Sequence, residues 1–139
     1  MKKILFIIIS VFAIVACSKQ NATPTTPGTG MVDTSAMLKY SGSFMNGPYG
    51  TVSGEAKVFL QNGNYVLKFQ GVSISNGPDL HVYLSKEILP VNFIDLGSLQ
   101  STSGNQIYNV TGSPNFGQFK YALVHCKQYN HLFGSAELR

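Results

Sequence analysis

Ala56-Lys57-Val58-Phe59-Leu60-Gln61, then Asn62-Gly63, then Tyr65-Val66-Leu67-Lys68-Phe69 is the stretch that decides the fold. Successive side chains of an extended strand point to opposite sides. Ala56, Val58 and Leu60 therefore share one face, and Tyr65, Leu67 and Phe69 share a face of the next run. Asn-Gly between two such runs suits a type I′ turn, whose two central residues both need positive φ. The stretch reads as a β-hairpin.

The same pattern recurs outward from this hairpin. Leu80-His81-Val82-Tyr83-Leu84 reads as a strand with Leu80, Val82 and Leu84 facing inward. Tyr121 to Cys126 reads as another, with Ala122, Val124 and Cys126 on one face and Tyr121, Leu123 and His125 on the other. Ile107–Val110 and Leu132-Phe133 are shorter candidates. Turn residues fall at Asn46-Gly47-Pro48, Asn76-Gly77-Pro78, Ser103-Gly104-Asn105 and Thr111-Gly112-Ser113-Pro114. Only Leu84 to Leu99 has room for a short helical turn, and Pro90 interrupts it. With 14 Gly, 7 Tyr, 9 Phe and no Trp, the composition agrees with strands and tight turns. The expectation is an all-β antiparallel domain, a sandwich or barrel-like sheet of about seven to nine strands.

The folded domain is expected over residues 37–139, and what precedes it is of another kind. Lys2 and Lys3 lead into the uncharged apolar run Ile4–Ala16. At about 1.5 Å per residue that run reaches roughly 20 Å, short of the ~30 Å hydrocarbon layer. It reads as a signal-peptide core over residues 1–16 rather than a spanning helix. It ends in Ile14-Val15-Ala16-Cys17, which resembles the lipobox of bacterial lipoproteins. That resemblance implies cleavage before Cys17, lipid on its sulfur, and anchoring in the cell envelope by acyl chains. Ser18, rather than Asp, follows Cys17, and by resemblance to the sorting rule of many Gram-negative lipoproteins this implies the outer membrane over the inner one. Residues 17–36 are rich in Thr, Pro, Gly and Ser and read as a flexible tether. Ten Lys and Arg against six Asp and Glu give +4, and removing Lys2 and Lys3 leaves eight against six. So small an excess argues against a nucleic-acid partner.

The available chemistry is narrow. The sequence contains no phosphate-binding loop, Ser-centred nucleophile elbow or zinc-protease helix. Glu55, Asp79, Glu87, Asp95 and Glu137 are scattered along the domain. With no nucleophile–base pair in view, an enzyme acting on its own is disfavoured. Asp79, just after Gly77-Pro78, reads first as a turn-capping carboxylate.

Cys126 is the informative residue. If Cys17 carries lipid, the domain has one thiol and no internal disulfide. Such a thiol is a buried small hydrophobe, a cofactor ligand, a redox thiol or an intermolecular disulfide partner. His81, His125 and His131 are its candidate neighbours in a cofactor site. Cys126-x4-His131 faintly resembles a blue-copper loop, but no Met follows His131, and nothing in the spacing demands zinc.

Gly77-Pro78-Asp79-Leu80-His81-Val82-Tyr83-Leu84-Ser85, with Val124-His125-Cys126-Lys127-Gln128-Tyr129 and Phe133-Gly134-Ser135-Ala136-Glu137-Leu138, resembles the DM13 domain family. Tyr40–Phe44 and Val52–Ala56 fit its opening strands. The resemblance implies a small extracytoplasmic β domain in electron transfer or redox chemistry. It would act through a characteristic Cys, bare or holding a group such as haem, and Cys126 occupies that position. An aromatic, often Trp, tends to precede this Cys in the family, whereas here it is His125. The implied partners are a membrane, through the lipid anchor, and an envelope protein or redox partner. Haem and copper are both compatible with the resemblance, and neither is required. The alternative is an envelope binding or adhesion module in which Cys126 only fills the core.

Overall fold

The computed structural model describes residues 31–139. The expected signal peptide, Cys17 and most of the expected tether therefore lie outside the described residues. Eight strands follow in order: β1 (Met37–Asn46), β2 (Val52–Gln61), β3 (Asn64–Ile74), β4 (Leu80–Ser85), β5 (Phe93–Ser98), β6 (Ser103–Val110), β7 (Tyr121–Cys126) and β8 (His131–Glu137). All are antiparallel within one sheet ordered β5-β4-β7-β8-β1-β2-β3-β6. The all-β expectation holds, and no helix among the described residues is long and apolar enough to cross a membrane.

The sheet curls into a nearly closed barrel. The hinge is β1, whose first part pairs with β2 and whose last part, Phe44–Asn46, pairs with β8. The edge strands β5 and β6 approach each other without a ladder. Side chains close part of that seam. Gln100 Nε2 donates to the Ile107 carbonyl at 2.7 Å, and the Gln100 N–H donates to the Tyr108 hydroxyl at 3.1 Å. Drawing the two edges together in this way limits the open pairing that exposed strands offer.

The hairpin read from sequence is β2–β3. Leu60 pairs with Tyr65 and Gln61 with Asn64, and Asn62 (φ 49°) and Gly63 (φ 78°) are both left-handed. Ala56, Val58, Leu67 and Phe69 are fully buried on the inner face, while Leu60 and Tyr65 lie nearer the rim and are half-buried. A bulge sits between Ser53 and Glu55, where Gly54 takes φ +101° and a Cβ would meet the Gln70 and Gly71 carbonyls at 2.8 Å.

Leu80, Val82 and Leu84 of β4 and Ala122, Val124 and Cys126 of β7 complete the core. The segment expected to hold a helical turn does not. Lys86–Asn92 is a loop and Phe93–Ser98 is strand β5. Pro90 removes a helical donor, and pairing of Ile94 with Leu84 and of Asp95 with Tyr83 supplies the competing ladder.

Alternation gives the barrel two distinct ends. One carries the entry to β1, the Asn62-Gly63 turn, loops 86–92 and 111–120, and Arg139. Phe116 plugs this end, stacked on Tyr40 at 5.0 Å and edge-on to Tyr65 at 4.8 Å. The other end carries loops 47–51, 75–79, 99–102 and 127–130.

A Cβ on Gly63 would have nothing within 4 Å, so only the backbone resists substitution there. Gly63→Val forces a β-branched residue into the left-handed region and should lower unfolding free energy by about 1–2 kcal/mol. Denaturant unfolding checks this, and an unchanged midpoint would contradict the turn assignment.

Candidate functional site

The cleft end gathers most of the polar chemistry. A cleft of about 360 Å³ is lined by Gly77, Pro78, Asp79, Leu80 and Ser98–Thr102. Leu80 forms an apolar wall of it together with Pro78 and Leu99, and Leu80 is also the cross-strand partner of Cys126. Directly opposed residues of an antiparallel pair share a face. Cys126 therefore stands in the core beside Leu80 and does not itself line the cleft. It is 1% exposed and unpaired.

The outer face of the same two strands carries the imidazoles. His81 pairs with His125 across β4 and β7. His81 Nδ1 lies 2.9 Å from Asp95 Oδ1 and 3.1 Å from Oδ2, and its Nε2 lies 3.3 Å from Asp79 Oδ1 and 3.4 Å from Ser98 Oγ. Lys127 Nζ reaches Asp95 Oδ2 at 3.4 Å. The Gly97 N–H donates to Asp95 Oδ1 at 2.9 Å. Burial alone would raise the Asp95 carboxyl. The hydrogen bonds from His81, Gly97 and Lys127, with the His81 charge, outweigh it and hold the group below its ordinary value.

Asp79 does not use its carboxylate on a turn. That group faces His81, while its backbone carbonyl accepts from the Lys127 N–H at 2.9 Å and ties β4 to the end of β7.

Next along this face, Tyr83 stacks on Phe93 at 4.3 Å and on His125 at 5.2 Å. Tyr83, Leu123 and Leu132 form a second small apolar cluster outside the barrel wall. Burial, reinforced by the Asp95 and Asp79 charges, pushes the Tyr83 phenol up. His125 is 3% exposed, and its Nδ1 is buried with no hydrogen-bond partner. Burial pushes its imidazole below the ordinary value of 6.5, and nearby His131 acts in the same direction.

His131 opens β8 as the cross-strand partner of Cys126, but its ring is stacked on Tyr49 with ring centres 3.7 Å apart and lies 5.9 Å from Tyr129. The four residues singled out in sequence thus divide three ways. Cys126 is inside the barrel, His81 and His125 are outside its wall, and His131 belongs to an aromatic stack.

This arrangement does not fit a copper–thiolate or zinc centre. Such a site needs imidazole and thiolate converging on one point. Here the alternation of β7 sends His125 and Cys126 to opposite faces, and Leu80 and Val124 surround the inward side. Among the described residues no three of His, Cys, Asp and Glu gather as a metal-holding group. Haem would be held by Cys126, but that thiol is 1% exposed within the core and offers it no open face.

Asp95, Tyr83, Lys127 and Ser98 are site residues that sequence reasoning missed. Tyr83 was legible, because alternation places it with His81. Asp95 and Ser98 were not, since the pairing of β5 leaves no local signal.

With this geometry in hand, the family match is specific. A family model described as electron transfer DM13 matches residues 43–138, and the chain belongs to that family. No curated protein and no solved structure matches the chain.

His125 offers a direct test of the outer wall. Its folded-state pKa is depressed, so the unfolded chain takes up the proton first as pH falls. Its contribution to stability is full above about pH 6.5 and is lost as pH drops toward the folded-state value. His125→Phe should stay within about 1 kcal/mol of wild type at pH 7.5 and show a flatter stability profile from pH 7 to 5. Chemical denaturation at a series of pH values reads this. Parallel profiles would show that His125 is not the depressed group.

Proposed function

We propose that the chain is a lipid-anchored DM13 protein of the bacterial cell envelope, serving electron transfer as an accessory module with Cys126 as its redox group. Cys17 carries the lipid, and the outer membrane is the expected address. The apolar run Ile4–Ala16 ending in Val15-Ala16-Cys17 supports the anchor. The family's description supports the electron-transfer role.

The observation that carries the reading is the place of Cys126. It is the free cysteine of the described residues, and its cross-strand partner Leu80 lines a cleft that Asp79 rims, next to the outer-face cluster of His81, Asp95 and Lys127. That cluster offers both signs of charge to an envelope partner. A thiol in apolar surroundings is inert until the wall opens. When Leu80 moves aside, Cys126 loses its proton to solvent and its thiolate attacks one sulfur of a partner disulfide. The partner's S–S bond breaks, a mixed disulfide forms, and the other sulfur leaves as thiolate. A second thiol then attacks the mixed disulfide and releases Cys126 reduced.

One observation favours a second reading. Burial to 1% exposure is what a purely structural cysteine would show. In that case the chain is an envelope binding or adhesion module, and Cys126→Ala costs about 1–3 kcal/mol while leaving partner binding intact.

The test equilibrates the full chain, in vesicles, with reduced and oxidised glutathione and follows intact mass. The redox reading expects one reversible glutathione adduct on folded protein, absent in Cys126→Ser. An adduct that forms only under denaturing conditions would leave the structural reading standing.

A further inference from the structure

The end of the barrel opposite the cleft carries an apolar loop that nothing in the described residues covers. Between β4 and β5 the chain reads Ile88-Leu89-Pro90-Val91, with Ile88 45%, Leu89 69% and Val91 78% exposed. Phe93 continues the patch at the start of β5. Consecutive exposed apolar side chains at a hairpin tip lose free energy in water unless a surface covers them.

The loop is held in shape rather than left slack. Glu87 accepts from the Asn92 N–H at 3.2 Å and from Asn92 Nδ2 at 3.1 Å, and the Lys86 N–H donates to the Asn92 carbonyl at 3.0 Å. These bonds pinch the base, and the apolar residues form the tip. Lys86 lies over the Phe119 ring at 5.2 Å, which joins this loop to loop 111–120 beside it.

The course of the chain says what covers the tip. Thirty residues precede Met31, and they lead into the barrel at this same end through the start of β1. They include the apolar run Ile4–Ala16 and Cys17. Exposed Met31, Met37 and Leu38 stand where the chain enters. Between Cys17 and Met31 a fully extended chain spans at most about 50 Å, so a lipid at Cys17 leaves this end free to touch the bilayer surface.

We propose that Ile88-Leu89-Pro90-Val91 is a membrane-docking loop that inserts into the headgroup and acyl boundary of the bilayer holding the lipid anchor. The inference rests on the anchored reading above. Lys86 and Lys120 flank the loop, and Arg139 is paired with Glu137 at 2.6 Å. Insertion is therefore driven by apolar area, with basic groups at the headgroup level. Docking this end turns the cleft, His81 and the Leu80 wall away from the membrane, toward partners in the aqueous phase.

The chain contains no tryptophan, so one introduced indole reports alone. Full-length Val91→Trp is placed in phosphatidylcholine–phosphatidylglycerol vesicles whose acyl chains carry bromine. Insertion to roughly 5–10 Å predicts blue-shifted emission, quenched by about half or more relative to unbrominated vesicles. Tyr129→Trp, on the cleft end, should be unquenched. Equal quenching of the two in vesicles that float with the protein overturns the docking loop and leaves the anchor intact. A blue shift without bromine quenching also overturns it, because a second copy or another protein surface then covers the tip. Failure of the wild-type chain to float with vesicles overturns the anchored reading and the inference together.

Discussion

The register between β4 and β7 is the constraint on which the site depends. With Leu80 opposite Cys126, Val82 opposite Val124 and Leu84 opposite Ala122, one face of the pair is wholly apolar and belongs to the core. The other face follows without choice and carries His81, Tyr83, Leu123 and His125. A slip of one residue would turn every one of these side chains to the opposite face. It would place imidazoles and a serine in the core and send Leu80 and Val82 to the outside. Burial of so many apolar groups fixes the register, and the register fixes the separation of the thiol from His81 and His125.

That separation sets the chemistry. The outer face holds a charged cluster of Asp79, His81, Asp95 and Lys127 that grades into the Tyr83–His125–Phe93 stack. The inner face holds one sulfur among aliphatic and aromatic neighbours. Bonds from β5 complete the outer cluster, so the strand least visible in sequence determines where the His81 ring is held. Polar and apolar chemistry meet only at the cleft, where Leu80 forms one wall and Asp79 and Ser98 the rim. The opposite end is plugged by Phe116 and presents the apolar loop after β4. The barrel is thus polarised along its axis, with its reactive groups at one end and the chain entry at the other.

Period-two patterning and the Asn62-Gly63 turn made β2, β3, β4 and β7 legible, along with the inward position of Cys126. Both signals are local and strong. β5 was hidden because Phe93–Ser98 is half-exposed at a barrel edge, and its alternation, with Ile94 and Leu96 inward, breaks off at Gly97. Its identity depends on pairing with Tyr83 and Leu84, which sequence spacing does not announce. The histidines were legible as residues but not as a group. Their positions depend on the bulge between Val124 and His125 and on the stacking of His131 against Tyr49. Phe116 was equally hidden, since a loop residue that plugs a barrel carries no periodic mark.

The central claim is that the β4–β7 register puts Cys126 on the opposite face from His81 and His125 and buries it in the core, so that no haem or copper–thiolate centre forms on it. The most direct test is the UV–visible spectrum of the purified full chain, recorded with and without reductant beside that of Cys126→Ser. The account predicts that the two proteins have the same spectrum above the aromatic region. A haem or copper–thiolate band present in wild type and lost in Cys126→Ser would contradict it, because a prosthetic group would then sit against a sulfur that the barrel wall should seal away.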